Sequence, residues 1–219
     1  MASNWSGKAR YHWRGDMRFK MNLMKITHYV FLCSSLLLNG CATPPAPPFT
    51  QHWQLPSDTA IAGVENFTKV SAKLWRGSQP TAEGFRNLEK AGVKTVIDLR
   101  DTHDDYDDFA KLGGTQLHYL RIPMHAWNPD TAQLIVLMKE LERDFQNTNN
   151  SPVFIHCAEG RDRTGYSVAT YRMVFEDWSP KDAIAEMFDF RFNTIWFQNP
   201  DFLNTMDIQK LRELMKRAP

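Results

Sequence analysis

The sequence predicts an α/β fold in which a central, mostly parallel sheet is flanked by helices. Short apolar runs such as KTVIDL and VFIH have the length and the β-branched composition of buried strands. Segments with apolar residues at helical spacing alternate with these runs. A charged loop follows VFIH and leads into a helix, which is where sheets of this kind bind ligands.

The first elements follow one another from about Leu74. KLWRG is a short strand, and a helix runs from Ala82 to Ala91 and ends at Gly92. The buried strand KTVIDL, the aspartate-rich loop RDTHDDYDD and the strand LHYLRIP come next. A helix then extends from about Thr131 to Phe145. Together these elements give the βαβ order of a parallel sheet.

The later elements place the charged loop between a strand and a helix. NTNNSP is a turn, VFIH is the buried central strand, and a helix runs from Thr164 to about Phe175. Ser179 and Pro180 begin a further helix. The chain ends in one helix that carries Leu203, Met206, Leu211 and Leu214.

The segment FIHCAEGRDRTG, residues 154–165, carries the residues with recognisable chemistry. Backbone N–H groups that curl inward at a helix N-terminus form a concave anion site, and their potential favours a thiolate at Cys157. Arg163 can present two parallel N–H donors to a phosphate group. A core cysteine followed by a solvated turn is the alternative. The expected phosphate-binding loop comprises Cys157, Ala158, Glu159, Gly160, Arg161, Asp162 and Arg163.

HCAEGRDRTG resembles the His-Cys-x5-Arg-Thr/Ser-Gly signature of the protein tyrosine and dual-specificity phosphatase superfamily. LWRGSQPTAEGFRNLEKAGVKTVIDLR and LRIPM resemble the compact bacterial and fungal branch of dual-specificity phosphatases. The resemblance implies that Cys157 attacks phosphorus to form a cysteinyl-phosphate while Arg163 holds the phosphoryl oxygens. It also implies that Thr164 hydrogen-bonds the thiolate and that His156 supports the loop from behind. Helix capping and a core position are the structural alternatives for these two residues.

The resemblance implies that neither a metal nor another cofactor is needed. It implies a phosphorylated protein, small molecule or lipid as the substrate. A phospho-ligand binding module without turnover is the alternative from another functional class, and sulfur transfer or arsenate reduction on a similar loop is a third. The net charge of +1 excludes a general attraction to nucleic acid. The sequence says nothing about the oligomeric state.

The general acid is where the resemblance becomes incomplete. Many relatives have an aspartate just after the strand equivalent to LHYLRIP, but His125 and Ala126 stand there in this sequence. Asp162 is the first candidate, because an aspartate at this position of the loop resembles that of myotubularins, where it has the acid role. An ion pair with Arg100, Arg161 or Lys111 is its structural alternative. Asp130 is the second candidate, and it fits a helix N-cap equally well.

Other residues are given mainly structural roles. The aspartates of RDTHDDYDD are expected to form a mostly solvated acidic loop, and the role of general acid is the alternative for any one of them; they are Asp101, Asp104, Asp105, Asp107 and Asp108. Arg76 and Gln79 are expected to support the site more than to reach it. Four tryptophans could line the pocket but fit core positions better; they are Trp75, Trp127, Trp178 and Trp196.

Composition divides the chain into residues 1–40, a Pro-rich tether at 41–60 and a phosphatase domain at 61–219. Lys25 precedes ITHYVFLCSSLLLNGC, which is short for a membrane span and is typical of a secretory signal. Its end resembles the bacterial lipobox, which implies cleavage before Cys41 and a lipid anchor on that residue. We therefore expect an exported, membrane-anchored bacterial lipoprotein that faces the periplasm. A buried helix with Cys33 and Cys41 as core residues is the alternative.

Overall fold

The computed structural model describes residues 60–103 and 105–217. The strands in this part of the chain are β1 (Thr68–Lys69), β2 (Leu74–Gly77), β3 (Thr95–Arg100), β4 (His118–Met124) and β5 (Val153–His156). The helices are α1 (Ala82–Lys90), α2 (Tyr106–Lys111), α3 (Thr131–Gln146), α4 (Arg163–Phe175), α5 (Pro180–Asp189), α6 (Gln198–Asn204) and α7 (Ile208–Arg217). None of these helices is long and apolar enough to cross a membrane.

The strands form one sheet in the order β1-β2-β5-β3-β4. β2, β5, β3 and β4 run parallel to one another, and β1, at the edge of the sheet, pairs antiparallel with β2. The predicted α/β fold with a mostly parallel sheet is therefore confirmed. β5 lies at the centre, because both β2 and β3 pair with it.

β5 is buried on both faces, as its unbroken apolar run predicts. Side chains alternate across a strand, so Val153 and Ile155 lie in one apolar cluster and Phe154 lies in the other. The first cluster packs against α3 and α4, with Leu137 and Tyr166 fully buried there. The second packs against α1. These two layers hold the end of β5 at a fixed position in the middle of the sheet.

Two predicted helix starts are confirmed together with their caps. The Asp130 carboxylate accepts a hydrogen bond from the Ala132 N–H at 2.8 Å at the start of α3. The Ser179 hydroxyl accepts one from the Asp182 N–H at 3.2 Å at the start of α5, where Pro180 occupies the first turn. Both caps satisfy N–H groups that a helix leaves unpaired at its beginning.

The prediction of a single terminal helix is wrong, because α6 and α7 are separate helices. α6 ends at Asn204, and the Asp207 carboxylate accepts a hydrogen bond from the Lys210 N–H at 2.9 Å. This side chain begins a new helix and interrupts the apolar spacing that suggested one element. The prediction that RDTHDDYDD is a loop is also wrong, because α2 begins within this segment. The expected secretory signal, the lipid anchor at Cys41, most of the tether and Asp104 lie outside the described residues.

Candidate active site

The loop between β5 and α4 carries Cys157 directly after the last strand residue, His156. Cys157 is a free thiol and is only 2% exposed. α4 begins at Arg163, so Cys157 and Arg163 enclose the loop from its two ends. The carboxyl end of a central parallel strand is where α/β sheets bind ligands. The structure thus places the thiol where the sequence predicted it.

Arg163 is fixed by the ends of two neighbouring strands. Its Nε donates to the backbone oxygen of Met124, the last residue of β4, at 2.8 Å. Its Nη2 donates to Oδ1 of Asp101, the residue after β3, at 2.6 Å. The guanidinium is therefore held at the edge of the sheet where β3, β4 and β5 all end.

Asp101 bridges Arg163 and His125. Its Oδ2 lies 2.8 Å from His125 Nδ1, while Oδ1 accepts the bond from Arg163. Burial raises the pKa of the Asp101 carboxyl, but the hydrogen bond with His125 and the charge of Arg163 outweigh burial and hold it below its usual range. Asp101 is therefore an anion at neutral pH that orients Arg163, and it is unsuited to donate a proton.

The expectation that the acidic segment is mostly solvated is wrong for Asp105. This side chain is completely buried, forms an ion pair with Arg100 and accepts a hydrogen bond from Gln79 at 2.9 Å. Its Oδ2 also lies 3.1 Å from His156 Nε2, within ion-pair distance although outside hydrogen-bond geometry. Burial raises the pKa of Asp105, but His156, Arg100 and Gln79 outweigh it and lower the pKa.

This contact agrees with the supporting role expected of His156. The imidazole is fully buried behind the loop, and its Nδ1 lies 3.4 Å from the Cys157 carbonyl oxygen. Gln79 also has the structural role expected of it, because it binds Asp105. A buried anion thus lies beside His156, the residue that immediately precedes Cys157.

Thr164 is the second residue of α4 and is completely buried. Its hydroxyl finds no hydrogen-bond partner in the part of the chain that the structure describes. Asp162 occupies the N-cap position, so capping is not the role of Thr164. The hydrogen bond from Thr164 to the Cys157 thiolate stays a prediction.

Asp162, the first candidate for the general acid, holds the loop against the segment after α5. Oδ1 accepts from the Asn193 N–H at 2.8 Å, and Oδ2 accepts from Trp196 Nε1 at 3.2 Å. With both oxygens bound to structural donors, neither is free to deliver a proton to a leaving group. The cations proposed as its partners pair elsewhere: Arg100 with Asp98 and Asp105, Arg161 with Glu159, and Lys111 with Asp108.

Asp130, the second candidate, is exposed and uses Oδ1 to cap α3. Its charge acts on Tyr166, a residue of α4. Burial raises the pKa of the Tyr166 hydroxyl; Arg163 opposes this shift, whereas the charges of Cys157, Asp101 and Asp130 add to it. The charges of Asp130, Cys157 and Arg163 thus all act on the Tyr166 hydroxyl.

An aromatic edge borders this site. Trp127 is 46% exposed, stacks on His125 with ring centroids 5.0 Å apart and lies 6.1 Å from Trp196. Trp75 is a buried core residue, as expected, and Trp178 lies against the Arg172 guanidinium. Of these tryptophans, Trp127 is therefore the best candidate for the wall of a pocket.

The sequence reasoning missed the role of Asp101 as the partner of Arg163. One signal could have found it. Asp101 follows the apolar strand KTVIDLR directly, and the carboxyl ends of parallel strands lie at one edge of a sheet.

The comparisons with known proteins agree with this geometry. The family model described as a DSP-PTPase phosphatase fused to NAD+ kinase matches residues 49–199. The chain belongs to this family. The dual specificity protein phosphatase TpbA of Pseudomonas aeruginosa is 31% identical over 147 residues, which cover 67% of this chain and 62% of TpbA. The inositol diphosphatase SIW14 of Saccharomyces cerevisiae is 26% identical over 166 residues, 70% of this chain and 55% of SIW14.

A crystal structure of P. aeruginosa TpbA has the same fold as this protein. The TM-score is 0.60 at 26% sequence identity, and the match covers 72% of this chain and 99% of the TpbA chain. The chain spans about three fifths of the curated TpbA sequence. Both relatives are phosphatases by name.

Proposed function

We propose that this chain is a cysteine-dependent phosphatase that hydrolyses phosphoesters through a cysteinyl-phosphate. The observation that carries the proposal is the placement of Cys157 and Arg163 at the two ends of one loop, with Arg163 oriented by Asp101 and the Met124 carbonyl. A buried thiol with no partner cysteine in the described residues, at the other end of the loop from a guanidinium held in place, suits attack on a bound phosphoryl group.

The reaction proceeds in two displacements. The Cys157 thiolate attacks phosphorus, an S–P bond forms, and the bond from phosphorus to the ester oxygen breaks. The leaving oxygen takes a proton from a carboxyl group. Water then attacks the phosphorus, loses a proton to the same carboxylate and displaces the thiolate, which releases inorganic phosphate. Arg163 stabilises the charge on the phosphoryl oxygens in both steps.

We propose Asp130 as the proton donor, although the sequence favoured Asp162, because structural donors occupy both oxygens of Asp162. The two are separated by the pH dependence of kcat/KM. We expect Asp130→Asn to lose the limb of the profile on which activity falls with rising pH, while Asp162→Asn keeps it. The opposite result would return the role to Asp162. Asp162→Asn serves as the matched control, because it makes the same change within the loop itself.

The substrate class that the site supports best is a monophosphate on an aromatic body, such as phosphotyrosine, with dual specificity as an extension. The exposed Trp127 ring beside His125 offers a face for stacking. Arg161 is engaged with Glu159 at 2.8 Å, which reduces the positive charge available for a highly phosphorylated ring. Phosphoinositides and inositol phosphates are the second candidate class, since SIW14 is an inositol diphosphatase.

The central experiment compares wild type with Cys157→Ser on a panel of phosphotyrosine, phosphoserine, phosphoinositide and inositol phosphate substrates. We expect turnover of phosphotyrosine and of a small aryl phosphate by wild type only. The variant should still bind a phosphate analogue, because serine keeps the loop intact. Undiminished turnover by Cys157→Ser would contradict the proposal. Binding without turnover by wild type would instead favour the phospho-ligand binding module.

We also propose that the protein is an exported bacterial lipoprotein, anchored through Cys41 with the phosphatase domain facing the periplasm. The support is the sequence alone: the apolar run, the Leu-Asn-Gly-Cys step and the Pro-rich segment that follows. Metabolic labelling with palmitate should mark wild type and leave Cys41→Ala unlabelled. Unlabelled wild-type protein would remove the anchor.

A further inference from the structure

The outer side of the phosphate-binding loop is held by donors from a separate part of the chain. Three consecutive carbonyl oxygens of the loop accept hydrogen bonds from residues before α1. The Ala158 oxygen accepts from the Gln79 N–H at 3.1 Å. The Glu159 oxygen lies 3.4 Å from Asn66 Nδ2. The Gly160 oxygen accepts from Asn66 Nδ2 at 3.0 Å and from Arg76 Nη2 at 2.6 Å.

These bonds determine where the loop N–H groups point. In a trans peptide unit the C=O of one residue and the N–H of the next point in opposite directions. Turning the carbonyls of residues 158–160 outward therefore turns the N–H groups of Glu159, Gly160 and Arg161 inward. No acceptor in residues 60–103 or 105–217 receives these three N–H groups. An inward set of free N–H groups is an anion-binding nest.

Arg76 is the strongest of the outer donors. It belongs to β2, which pairs with β5 beside the loop, and its side chain is fully buried. Its guanidinium lies 4.0 Å from the centre of the Phe190 ring. Burial lowers the pKa of Arg76 to about 10, against the opposing charges of Glu186 and Cys157, so the group remains a cation at neutral pH. Burying a cation costs free energy unless hydrogen bonds or opposite charges compensate for it, and the Gly160 carbonyl accepts one such bond from Arg76.

Gly160 allows the loop to lie directly on β2. Its φ of +67° is in the left-handed region, and a Cβ there would be 2.5 Å from the carbonyl carbon and oxygen of Gly77. Asn66 also has a positive φ, of 50°, and its side-chain amide reaches the Phe190 carbonyl at 3.3 Å besides the loop. The loop, β2 and the segment containing Asn66 therefore fit together at backbone contact.

We propose that Arg76, assisted by Asn66, is a positioning residue that holds the loop carbonyls outward so that the loop N–H groups face the bound phosphoryl group. Arg76 does not touch the substrate in this arrangement. It acts through the Gly160 carbonyl and places its charge behind the loop. The proposal rests on the phosphate-binding role of the loop given above.

The test measures anion binding without requiring turnover. The dissociation constant of inorganic phosphate is measured by its protection of Cys157 from alkylation by iodoacetamide, for wild type, Arg76→Met, Arg76→Lys and Asn66→Gly. Arg76→Met should weaken phosphate binding by about 10- to 100-fold, the loss expected for a buried hydrogen bond from a charged group. Arg76→Lys should recover part of this loss, because it keeps a charge and a donor. Asn66→Gly keeps the backbone conformation and removes the amide, and should weaken binding by about 3- to 10-fold.

Arg212→Met is the matched control. Arg212 also donates to backbone carbonyls, those of Met173 and Val174, but at the far end of α4. It should leave phosphate protection unchanged. Loss of binding in Arg76→Met with a similar unfolding temperature to Arg212→Met supports the proposal. Unchanged binding in both Arg76→Met and Asn66→Gly overturns it.

Two further outcomes are possible: Arg76→Met fails to fold, or wild type binds phosphate without turnover. If Arg76→Met does not fold, Asn66→Gly decides alone, since Asn66 is only partly buried. If wild type binds phosphate and shows no turnover, the proposed enzymatic function fails, but the effect of Arg76 on phosphate binding can still be measured. A second readout is the pH dependence of the alkylation rate. Its midpoint should move to higher pH in Arg76→Met and stay in place in Arg212→Met, whereas a purely structural role would not move it.

Discussion

Replacing Asp105 with asparagine tests whether the buried anion behind the loop stabilises the domain. The substitution keeps the size of the side chain and removes its charge. Asp105 is fully buried, pairs with Arg100 and lies 3.1 Å from His156 Nε2. Removing one member of a buried charged group costs about 3–5 kcal/mol. The asparagine can still bind Gln79 and Arg100, so we expect a value near the lower limit, about 3 kcal/mol.

For a domain of this size, 1 kcal/mol corresponds to roughly 2–4 °C in Tm. We therefore expect thermal unfolding of Asp105→Asn about 6–12 °C below wild type at pH 7. Asp108→Asn is the control, since Asp108 pairs with Lys111 at 3.3 Å between side chains that are 39% and 72% exposed. Exposed pairs contribute little, and this variant should unfold within about 2 °C of wild type.

The difference between wild type and Asp105→Asn should depend on pH. The pKa of Asp105 in the folded protein is lower than that of an unfolded aspartate, about 3.9. The folded state then binds fewer protons, so the contribution of the carboxylate is complete above that value and is lost as the pH falls through the folded pKa. The gap in Tm should be large at pH 7 and clearly smaller near pH 3. Equal gaps at both values, or no gap at pH 7, would refute the buried-anion account.

Three further predictions concern the loop and its edge. Asp101→Asn should lower kcat for an aryl phosphate by about 10- to 100-fold, because Arg163 loses the carboxylate that orients it. KM should change little, because the substrate phosphate no longer competes with that carboxylate for Arg163. A change confined to KM would contradict this prediction. Gly160→Ala should reduce phosphate binding by at least about tenfold, since its Cβ would meet Gly77 backbone atoms at 2.5 Å and a positive φ disfavours alanine; protection from alkylation measures it, and unchanged protection refutes the close packing. Trp127→Ala should raise KM for a phosphotyrosine peptide by about 2- to 10-fold and leave kcat unchanged; identical steady-state kinetics would exclude stacking on Trp127.

The fold and the two ends of the loop could be predicted from the sequence because their signals are contiguous. VFIH is apolar at every position, which requires a strand buried on both faces, and such a strand lies inside a sheet. The cysteine and arginine are in one short segment between that strand and a helix. The local pattern thus determines both the environment of Cys157 and the direction from which Arg163 returns.

The supporting contacts could not be predicted, because they join segments that look ordinary on their own. RDTHDDYDD has the composition of a solvated loop, yet Asp101 binds Arg163 and Asp105 is completely buried. These two aspartates differ from the exposed Asp107 in their partners. Asp101 pairs with Arg163 of α4, and Asp105 pairs with the nearby Arg100 while packing beside His156 of β5. A linear sequence does not show these contacts. Asp162 was misjudged for the same reason, since Asn193 and Trp196 reach it from beyond α5.

Carboxylates pair with both arginines of the loop, which limits how much these two cations can attract a phosphate. Arg161 is paired with Glu159, and Arg163 is paired with Asp101, so each arginine of the loop already has an anionic partner before a phosphate arrives. Arg76 forms no ion pair with any described residue and lies behind the loop as a buried cation. For the proposed phosphatase, we therefore expect the attraction for a phosphoryl dianion to come largely from the inward N–H groups and from Arg76. Because main-chain N–H groups add nothing to net charge, a chain with a net charge of only +1 can still hold a strong anion site.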